Sequence, residues 1–382
     1  MIENNVDTAS EKKKIKKIHI LKIFLYPFSF TYGIIVSIRN LLFDFGLIPS
    51  REFKIPVISV GNITMGGTGK TPHVEYLISI LIKEFKIAVL SRGYKRKTRG
   101  FIVADENSDY SIIGDEPRQI KQKFPQVEVV VDANRIEGIL KIKEYHKDIQ
   151  VILLDDAYQH RYVTPGISIL LIDYNRPLGK DNLFPVGTLR ENPVERKRAD
   201  IIIITKTPED IKPIDKRIIE KELKIYSFQK LYFTTLKYGK LLPVFNRSVP
   251  INTEMDQLKR EDSSVVLITG IADSTLLKKH IGIYCQDIVE IVFPDHYDYQ
   301  ARDMQTIIKR FTAIEKKHKL IITTEKDAMR FQHFKELDEE IKLNMFFIPI
   351  TVEFLHHELL NFNNQIWNYV RVNKPDRNLY KK

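Results

Sequence analysis

The sequence contains very little cysteine, with Cys285 as the single example among 382 residues. One cysteine cannot form an internal disulfide, which indicates a reducing compartment such as the cytoplasm. No metal-binding or catalytic partner lies near Cys285 in the sequence, so we assign it no chemistry.

The chain also lacks a hydrophobic run long enough to cross a bilayer. The uncharged run between Lys22 and Arg39 has 16 residues and is interrupted by Pro27 and Gly33. A spanning helix needs about 20 apolar residues. No small-residue cleavage pattern follows this run, so we expect neither a membrane-spanning helix nor a secretory signal.

The N-terminal region nevertheless has the composition of a membrane-binding segment. Met1–Lys17 is polar and ends in a lysine-rich run, which we interpret as a mobile tail. The residues after it form one or two helices in the membrane interface, with the lysines near anionic headgroups, or a helix packed on the protein's own core. An aromatic cluster favours the interface: Phe24, Tyr26, Phe28 and Phe30.

Length and charge narrow the class of protein further. Because 382 residues exceed the size of one small core, we expect two domains. Hydrophobic residues make up 43% and charged residues 29% of the chain, so neither a disordered nor a polytopic membrane protein is indicated. The net charge of +11 favours an acidic partner, such as nucleic acid, an anionic membrane or a phosphorylated substrate.

The middle of the chain alternates between strands and helices. The run IPVISVGNIT predicts a buried strand, MGGTGKTP a glycine-rich turn, and VEYLISILIKEF a helix. This alternation predicts a parallel sheet covered by helices on both faces. Further strands are predicted at 86–92, 127–132, 151–156, 168–173 and 200–206.

A change in the pattern of apolar and polar residues near residue 229 predicts a second domain. The run LYFTTLKYGKLLPVF alternates around Tyr238 and Gly239, which indicates a β-hairpin and a hinge. The following sequence SVVLITGIADSTLLKKHI again has strand, glycine and helix signals, with strands at DIVEIVF, KLIITT and MFFIPI. We therefore predict two α/β domains of P-loop type. The predicted parts are a basic tail with an interfacial helical segment (1–50), the loop-bearing domain (51–228), and a hinge with a smaller α/β domain (229–382).

The strongest local signal is TMGGTGKT, which predicts a phosphate-binding loop for a nucleoside triphosphate. Glycines let backbone amides turn toward phosphates, a lysine reaches the β and γ phosphates, and a Ser/Thr hydroxyl binds Mg²⁺. Thr64 stands where the usual pattern has glycine, and a glycine-rich turn without a ligand is the alternative. The loop consists of Thr64, Met65, Gly66, Gly67, Thr68, Gly69, Lys70 and Thr71.

Two adjacent acids end a predicted buried strand in VILLDDAYQH. A carboxylate at the carboxyl end of a strand next to a phosphate loop can bind the magnesium of the nucleotide. Asp155 is the first candidate and Asp156 the second. Which of them contacts the metal stays open.

Three further segments contain polar residues after predicted strands or in turns. Arg92 in SRGYKR can meet an anionic ligand, and Asp115 with Glu116 lies in a GDEP turn that turn chemistry alone can explain. His296 follows a strand in FPDHYDY, where a lone histidine is more often packed or solvated than catalytic. In TTEKDAMR, Lys326 and the aspartate after it are equally consistent with a solvated helix start.

The motifs together, in this order, resemble the tetraacyldisaccharide 4'-kinase family. The resemblance covers VGNITMGGTGKTP, LSRGY, GDEP, LLDDAYQHR, PVGTLRE, FPDHYDY and TEKDAMR, from about Ile18 to Ile350. In that family the first loop glycine is commonly replaced, so Thr64 fits. Ala157 departs from the glycine often found after the two aspartates, and we expect this to change only packing.

The resemblance implies an ATP- and Mg²⁺-dependent lipid kinase. It implies transfer of the ATP γ-phosphoryl group to the 4'-hydroxyl of a tetraacylated, 1-phosphorylated glucosamine disaccharide, which forms lipid IVA in lipid A biosynthesis. The expected location is the cytoplasmic face of the inner membrane of a Gram-negative bacterium, as a peripheral or monotopic protein. No nucleic-acid or protein partner is implied.

The resemblance also implies residue roles. Lys70 and the loop amides hold phosphates, Thr71 and Asp155 hold Mg²⁺, and Asp115 orients or deprotonates the sugar hydroxyl. His296 is the partner of Asp115, which requires the second domain to close over the site. Candidate substrate contacts are Arg92, Glu116, His160 and Arg190.

Two other functions stay open at this point. A P-loop ATPase switch acting with a protein or nucleic acid uses a similar loop, but it needs neither His296 nor an aromatic N-terminus. A soluble metabolite kinase is disfavoured by the same N-terminal segment. Dependence of ATP turnover on a lipid acceptor distinguishes these classes.

Overall fold

The computed structural model describes residues 4–245, 255–259, 262–355 and 358–374, and the side chains of its first helix from Lys22 onward. The strands are β1 Val57–Gly61, β2 Ile87–Ser91, β3 Ile102–Val103, β4 Glu128–Val131, β5 Val151–Asp155, β6 Ile167–Asp173, β7 Ile201–Thr205, β8 Lys230–Tyr238, β9 Leu242–Pro243, β10 Ser263–Thr269, β11 Ile288–Val292, β12 His318–Thr324, β13 Met345–Ile348 and β14 Ile350–Phe354. The α-helices are α1 Asn4–Asp44, α2 Lys70–Leu81, α3 Tyr110–Ile113, α4 Asp115–Lys123, α5 Arg135–Tyr145, α6 Pro213–Leu223, α7 Thr275–Gly282, α8 Ala301–Thr312, α9 Glu325–Phe331, α10 Glu339–Asn344 and α11 Leu359–Asn373. Short 3₁₀ turns lie at Leu178–Lys180, Pro193–Arg198 and Met255–Lys259.

The larger sheet has nine strands in the order β14-β8-β7-β6-β1-β5-β2-β4-β3. Its seven inner strands pair in parallel, and the edge strands β14 and β3 pair antiparallel. Every residue of β1, β5, β6 and β7 is buried, which explains the near-continuous β-branched runs. The predicted parallel α/β sheet is confirmed.

The smaller sheet has five strands in the order β11-β10-β12-β13-β9. β10, β11, β12 and β13 pair in parallel, while the two-residue strand β9 pairs antiparallel with β13. Phe311, Phe331 and Met345 lie in a core of its own, to which α8, α9 and α10 contribute. The second α/β unit expected from the sequence is therefore present.

The β-hairpin predicted around Tyr238 and Gly239 is wrong. β8 lies in the larger sheet, where β7 and β14 occupy both of its hydrogen-bonding edges. β9 therefore has no free edge of β8 to pair with, and it joins β13 in the smaller sheet instead. The two connections between the sheets run side by side, since the Gly239 amide donates to the Pro349 carbonyl at 2.9 Å.

The C-terminal part of the chain is divided between the two sheets in a way that the sequence did not predict. β8, β14 and α11 belong with the larger sheet, although the sequence assigned residues 229–382 to the hinge and the smaller domain. Phe362, Ile366 and Val370 of α11 pack into the core of the larger sheet. The smaller sheet is thus an insertion between β8 and β14.

The N-terminal segment is a single long helix, so the predicted mobile tail before residue 18 is wrong from Asn4 onward. The lysine-rich run contains neither glycine nor proline, and lysine and glutamate are good helix formers. Pro27 lies inside the helix without ending it. On one face, Ser29 Oγ donates to the Leu183 carbonyl at 2.8 Å and Tyr32 Oη donates to the Arg190 carbonyl at 2.8 Å.

The opposite face of α1 is apolar and exposed. Its residues recur at helical spacing on one side of the helix: Ile23, Phe24, Phe28, Phe30, Ile34, Ile35, Ile38 and Leu41. The helix therefore has both the packed face and the exposed apolar face that the sequence left as alternatives. Among the described residues, no helix has the length and hydropathy needed to span a bilayer.

Candidate active site

The glycine-rich loop follows β1 in the interior of the larger sheet and runs directly into α2. Gly66 and Gly69 have φ values of +92° and +85°, which favour glycine. A Cβ atom on Gly66 would also lie 3.1 Å from Nη1 of Arg176. The loop thus has the strand, turn and helix context of a phosphate-binding loop, with the amino end of α2 facing the loop.

Neighbouring segments hold this loop in place. Asn62 Nδ2 donates to Thr68 Oγ1 at 2.8 Å, and the Met65 amide donates to the Thr188 carbonyl at 2.7 Å. Burial lowers the pKa of His73 to about 4, so its ring is neutral. With Nδ1 2.7 Å from the Gly69 carbonyl, the proton is on Nδ1 and the ring donates to the loop.

The two predicted acids lie beside the loop, as expected from neighbouring parallel strands. Val60 of β1 is paired with Asp155 of β5. The carboxylate of Asp156 lies 3.7 Å from Lys70 Nζ and 3.3 Å from Arg190 Nη1. Although burial alone would raise it, these two cations hold the pKa of Asp156 below its usual value. Asp156 is therefore an ionised partner of the loop lysine.

Asp155 has the properties of a metal ligand. It is buried, and its Oδ1 atom has no hydrogen-bond partner among the described residues. Burial and the charge of Asp156 raise the pKa of Asp155 to about 7. A divalent cation would satisfy this oxygen and favour the charged form. The hydroxyl of Thr71, at the start of α2, is the second oxygen that the loop offers to Mg²⁺.

A second group of functional side chains joins the two sheets. Asp115 is the first residue of α4 and His296 follows β11, and His296 Nδ1 lies 2.9 Å from Asp115 Oδ2. Gly114, with φ +95°, precedes the helix, and a Cβ there would lie 3.2 Å from Tyr94 O. The ring of Tyr94 lies 4.7 Å from the His296 ring. The predicted pairing of Asp115 with His296 is thus present in the geometry.

Two cations from α9 complete this group, and the sequence did not assign them a role. Arg330 donates from Nε to Asp115 Oδ1 at 2.8 Å and from Nη2 to Oδ2. Lys326 Nζ lies 3.0 Å from His296 Nε2 and 3.3 Å from Glu116 Oε1. Against the effect of burial, His296 and Arg330 hold the pKa of Asp115 below its usual value.

Asp115, Glu116 and His296 also have ligand atoms within 4.8 Å of one another, a spacing that can hold a metal ion. Arg330 and Lys326 already bind these groups and place two positive charges among them. A divalent cation would meet strong repulsion there. A divalent cation is therefore less favoured at this cluster than beside Asp155, whose Oδ1 atom has no hydrogen-bond partner among the described residues.

The remaining predicted residues lie around these two groups. The guanidinium group of Arg190 contacts the carboxylate of Asp156, and the backbone amide of Arg190 donates a hydrogen bond to the Ile63 carbonyl at 2.7 Å. Arg190 therefore lies beside the loop. Burial and nearby arginines lower the pKa of His160 to about 4, and its buried Nε2 has no partner among the described residues. Arg92 is exposed after β2. The structure brings neither His160 nor Arg92 into contact with Lys70 within its described part.

Further contacts hold the two sheets against each other next to the site. Lys123 of α4 binds Glu75 of α2 at 2.6 Å and Glu325 of α9 at 3.3 Å. Lys95 Nζ donates to the His296 carbonyl at 2.9 Å. The loop helix, the Asp115 helix and α9 are thus linked by one partly buried ion cluster.

Comparisons with known proteins identify the family of the chain. A family model described as Tetraacyldisaccharide-1-P 4'-kinase matches residues 21–370. Tetraacyldisaccharide 4'-kinase of Phocaeicola vulgatus is 47% identical over 94% of this chain and 99% of its own length, and that of Porphyromonas gingivalis is 40% identical over 92% and 98%.

The fold is similar to the crystal structure of "apo" form LpxK from Aquifex aeolicus in complex with ATP. The TM-score is 0.69 at 29% identity, and the match covers 92% of this chain and 99% of the other. Nearly the whole chain therefore matches both the family and its solved structure. The chain belongs to the tetraacyldisaccharide-1-P 4'-kinase family.

Proposed function

We propose that this protein transfers the γ-phosphoryl group of ATP to the 4'-hydroxyl of a tetraacyldisaccharide 1-phosphate, forming lipid IVA in lipid A biosynthesis. The observation that carries the proposal is the placement of the glycine-rich loop and the buried carboxylate of Asp155 next to a pair formed by Asp115 of the same domain and His296 of the smaller domain. Ser91 Oγ donates to Asp155 Oδ2 at 3.4 Å. Two residues later in the chain, Gly93 lies against Gly114, the residue before Asp115: a Cβ on Gly114 would be 3.2 Å from the Cα of Gly93. Family membership supports the same reaction.

The loop side of the site binds and neutralises the nucleotide. The loop amides and Lys70 hold the β and γ phosphates, while Arg190 adds a positive charge beside Asp156. Asp155 and Thr71 would hold Mg²⁺, which supplies charge neutralisation on the phosphate oxygens when it is bound. Phosphoryl transfer depends mainly on such positioning and charge stabilisation.

The Asp115 side of the site activates the acceptor. As the 4'-hydroxyl oxygen bonds to the γ-phosphorus, its proton passes to the Asp115 carboxylate, and ADP departs with the electrons of the broken P–O bond. His296 is the hydrogen-bond partner of this carboxylate. Because His296 comes from the smaller domain, the pair exists only where that domain lies against α4, and the same packing helps to exclude water from the phosphate.

We further propose that α1 binds the cytoplasmic surface of the inner membrane through its exposed apolar face. Phe24, Phe28 and Ile35 lie on the same side of the helix and have 70%, 66% and 62% of their surface exposed. The opposite face contacts the segment 183–190, which carries Arg190 and pairs with the phosphate loop. An acylated substrate held in the bilayer would therefore lie next to the site.

Loss of the apolar face is expected to release the protein from lipid. The triple variant Phe24→Ser, Phe28→Ser, Ile35→Ser removes side chains worth about 1.5 kcal/mol or more each when buried, so vesicle partitioning is expected to fall at least ~100-fold. Flotation with vesicles of mixed zwitterionic and anionic phospholipid measures this. The matched control is Val292→Ser, Ile283→Ser, Val372→Ser, which removes three exposed residues elsewhere; equal flotation of all three proteins would contradict the proposal.

One assay tests the reaction itself. The protein is incubated with Mg-ATP labelled in the γ-phosphate and the disaccharide 1-phosphate in detergent, and the label is expected on the 4'-oxygen of the lipid. The ATPase-switch alternative is not favoured, because it gives no role to the Asp–His pair. Steady ATP hydrolysis without transfer to this lipid would overturn the kinase proposal.

A further inference from the structure

Helix α9 presents two cations to the acceptor side of the site. Lys326 and Arg330 are four residues apart, so their side chains lie on the same face of the helix. Thr324 caps the helix by accepting a hydrogen bond from the Asp327 amide at 3.1 Å, which fixes where that face points. Both side chains are largely buried against residues of α4 and of the loop after β11.

The planar guanidinium group of Arg330 donates two hydrogen bonds to the Asp115 carboxylate. Nε donates to Oδ1 and Nη2 to Oδ2, while Nη1 donates to the Tyr297 carbonyl. The Arg330 and Asp115 side chains are 4% and 2% exposed, so solvent competes little with this pairing. A forked contact of this kind fixes both the position and the plane of a carboxylate.

The donors divide unequally between the two carboxylate oxygens. Oδ2 accepts from Arg330 and from His296, whereas Oδ1 accepts from Arg330 alone within the described structure. Each carboxylate oxygen has two lone pairs, so Oδ1 keeps one for a further donor. The geometry therefore selects Oδ1 as the atom that meets the acceptor hydroxyl.

Lys326 determines which ring nitrogen of His296 carries the proton. Its ammonium group can only donate, and Nζ lies 3.0 Å from Nε2, so Nε2 accepts. The proton of a neutral ring is then on Nδ1, which donates to Asp115 Oδ2 at 2.9 Å. Although burial opposes it, Glu116 and Asp295 hold the pKa of Lys326 above its usual value, so the ammonium form persists.

We propose that Lys326 and Arg330 are positioning residues for phosphoryl transfer, which hold His296 in its Nδ1-protonated form and orient Asp115 with Oδ1 toward the acceptor. This inference rests on the proposed kinase function, since it assigns Asp115 to the acceptor hydroxyl. Neither side chain needs to touch the substrate. Both come from the smaller domain, so the acceptor side is complete only when that domain lies against α4.

Nitrogen-15 NMR of the histidine ring tests the role of Lys326 without any substrate. In the full-length protein, His296 is expected to show a protonated Nδ1 and an unprotonated Nε2, with its signals assigned by their loss in His296→Gln. Lys326→Met is expected to move Nε2 toward the protonated form and to lower kcat at least ~10-fold at unchanged KM for ATP, and Lys326→Arg to restore the wild-type ring signals. Unchanged ring signals in Lys326→Met would overturn the tautomer assignment.

Kinetics test the role of Arg330. Arg330→Lys keeps the charge but not the forked contact, and kcat is expected to fall ~10–100-fold with KM for ATP within about twofold, because small misplacements of reacting groups have effects of this size. In Arg330→Gln, kcat is expected to fall at least as far, and thermal unfolding checks that this variant is folded. Controls are Lys309→Met and Arg310→Gln on the exposed face of α8. A kcat within twofold of wild type in Arg330→Lys would overturn the orientation role.

Different measurements would contradict the kinase function and the positioning roles of Lys326 and Arg330. If the kinase proposal is wrong, the wild-type protein does not transfer phosphate to the lipid, yet the ring signals of His296 still report the Lys326 contact. If only the positioning inference is wrong, the wild-type protein is active and the Lys326 and Arg330 variants leave ring signals and kcat unchanged.

Discussion

Replacing Asp115 by asparagine is expected to lower kcat about 10²–10⁴-fold, the usual contribution of a general base. The amide cannot take the hydroxyl proton, although its oxygen can still accept from Arg330 and its shape fills the same space. Nucleotide affinity is expected to stay within about twofold, because the phosphate loop belongs to a different segment of the chain. Steady-state kinetics with the lipid acceptor and titration with Mg-ATP measure the two quantities.

Asparagine is preferable to alanine at this position because Asp115 is 2% exposed and paired with a buried arginine. Both substitutions remove one charge of a buried ion pair, which typically costs 3–5 kcal/mol, but asparagine keeps the volume of the side chain and an oxygen that accepts from Arg330. Asp115→Glu provides a second variant that keeps the charge and displaces the carboxylate, and Asp338→Asn is an exposed control. If Asp115→Asn lost Mg-ATP binding while its folded fraction was unchanged, Asp115 would belong to the nucleotide side of the site and not to the acceptor.

The parallel sheet could be predicted because its signals are local. The β-branched runs of β1, β5, β6 and β7 are buried on both faces, and the glycine-rich loop separates β1 from α2. The partner of β8 could not be predicted in this way, since β14 comes much later in the chain and takes the edge that the expected hairpin would have used. Strand pairing depends on such distant competition, which a single stretch of sequence does not contain.

In the candidate site, too, features with a local sequence signal could be predicted and contacts between distant segments could not. Asp155 was predictable because a carboxylate at the end of a buried strand near a phosphate loop is a recognisable local pattern. The pairing of Asp115 with His296 was predictable only from the family resemblance, because 181 residues separate the two and no local pattern connects them. Arg330 lies 215 residues from Asp115, and its segment TEKDAMR alone is equally consistent with a solvated helix start.

Replacing Lys70 by methionine is expected to lower kcat/KM for ATP about 10²–10³-fold, the size of effect seen when one preorganised charge-stabilising donor is removed. Its ammonium lies in the loop 3.7 Å from Asp156, and methionine keeps the length of the side chain without the charge. Lys83→Met, at an exposed position just beyond the end of α2, is the matched control. Phosphoryl transfer to the lipid at varied ATP concentration measures the effect.

The nucleotide dependence of this loss separates two roles of Lys70. A lysine that reaches the β and γ phosphates contributes more to ATP than to ADP, so Lys70→Met is expected to weaken ATP binding more than ADP binding. A lysine that only keeps Asp156 ionised would weaken both equally, because that contact exists without the γ-phosphate. Wild-type kinetics in Lys70→Met would contradict both roles and with them the assignment of Thr64–Thr71 as the phosphate loop.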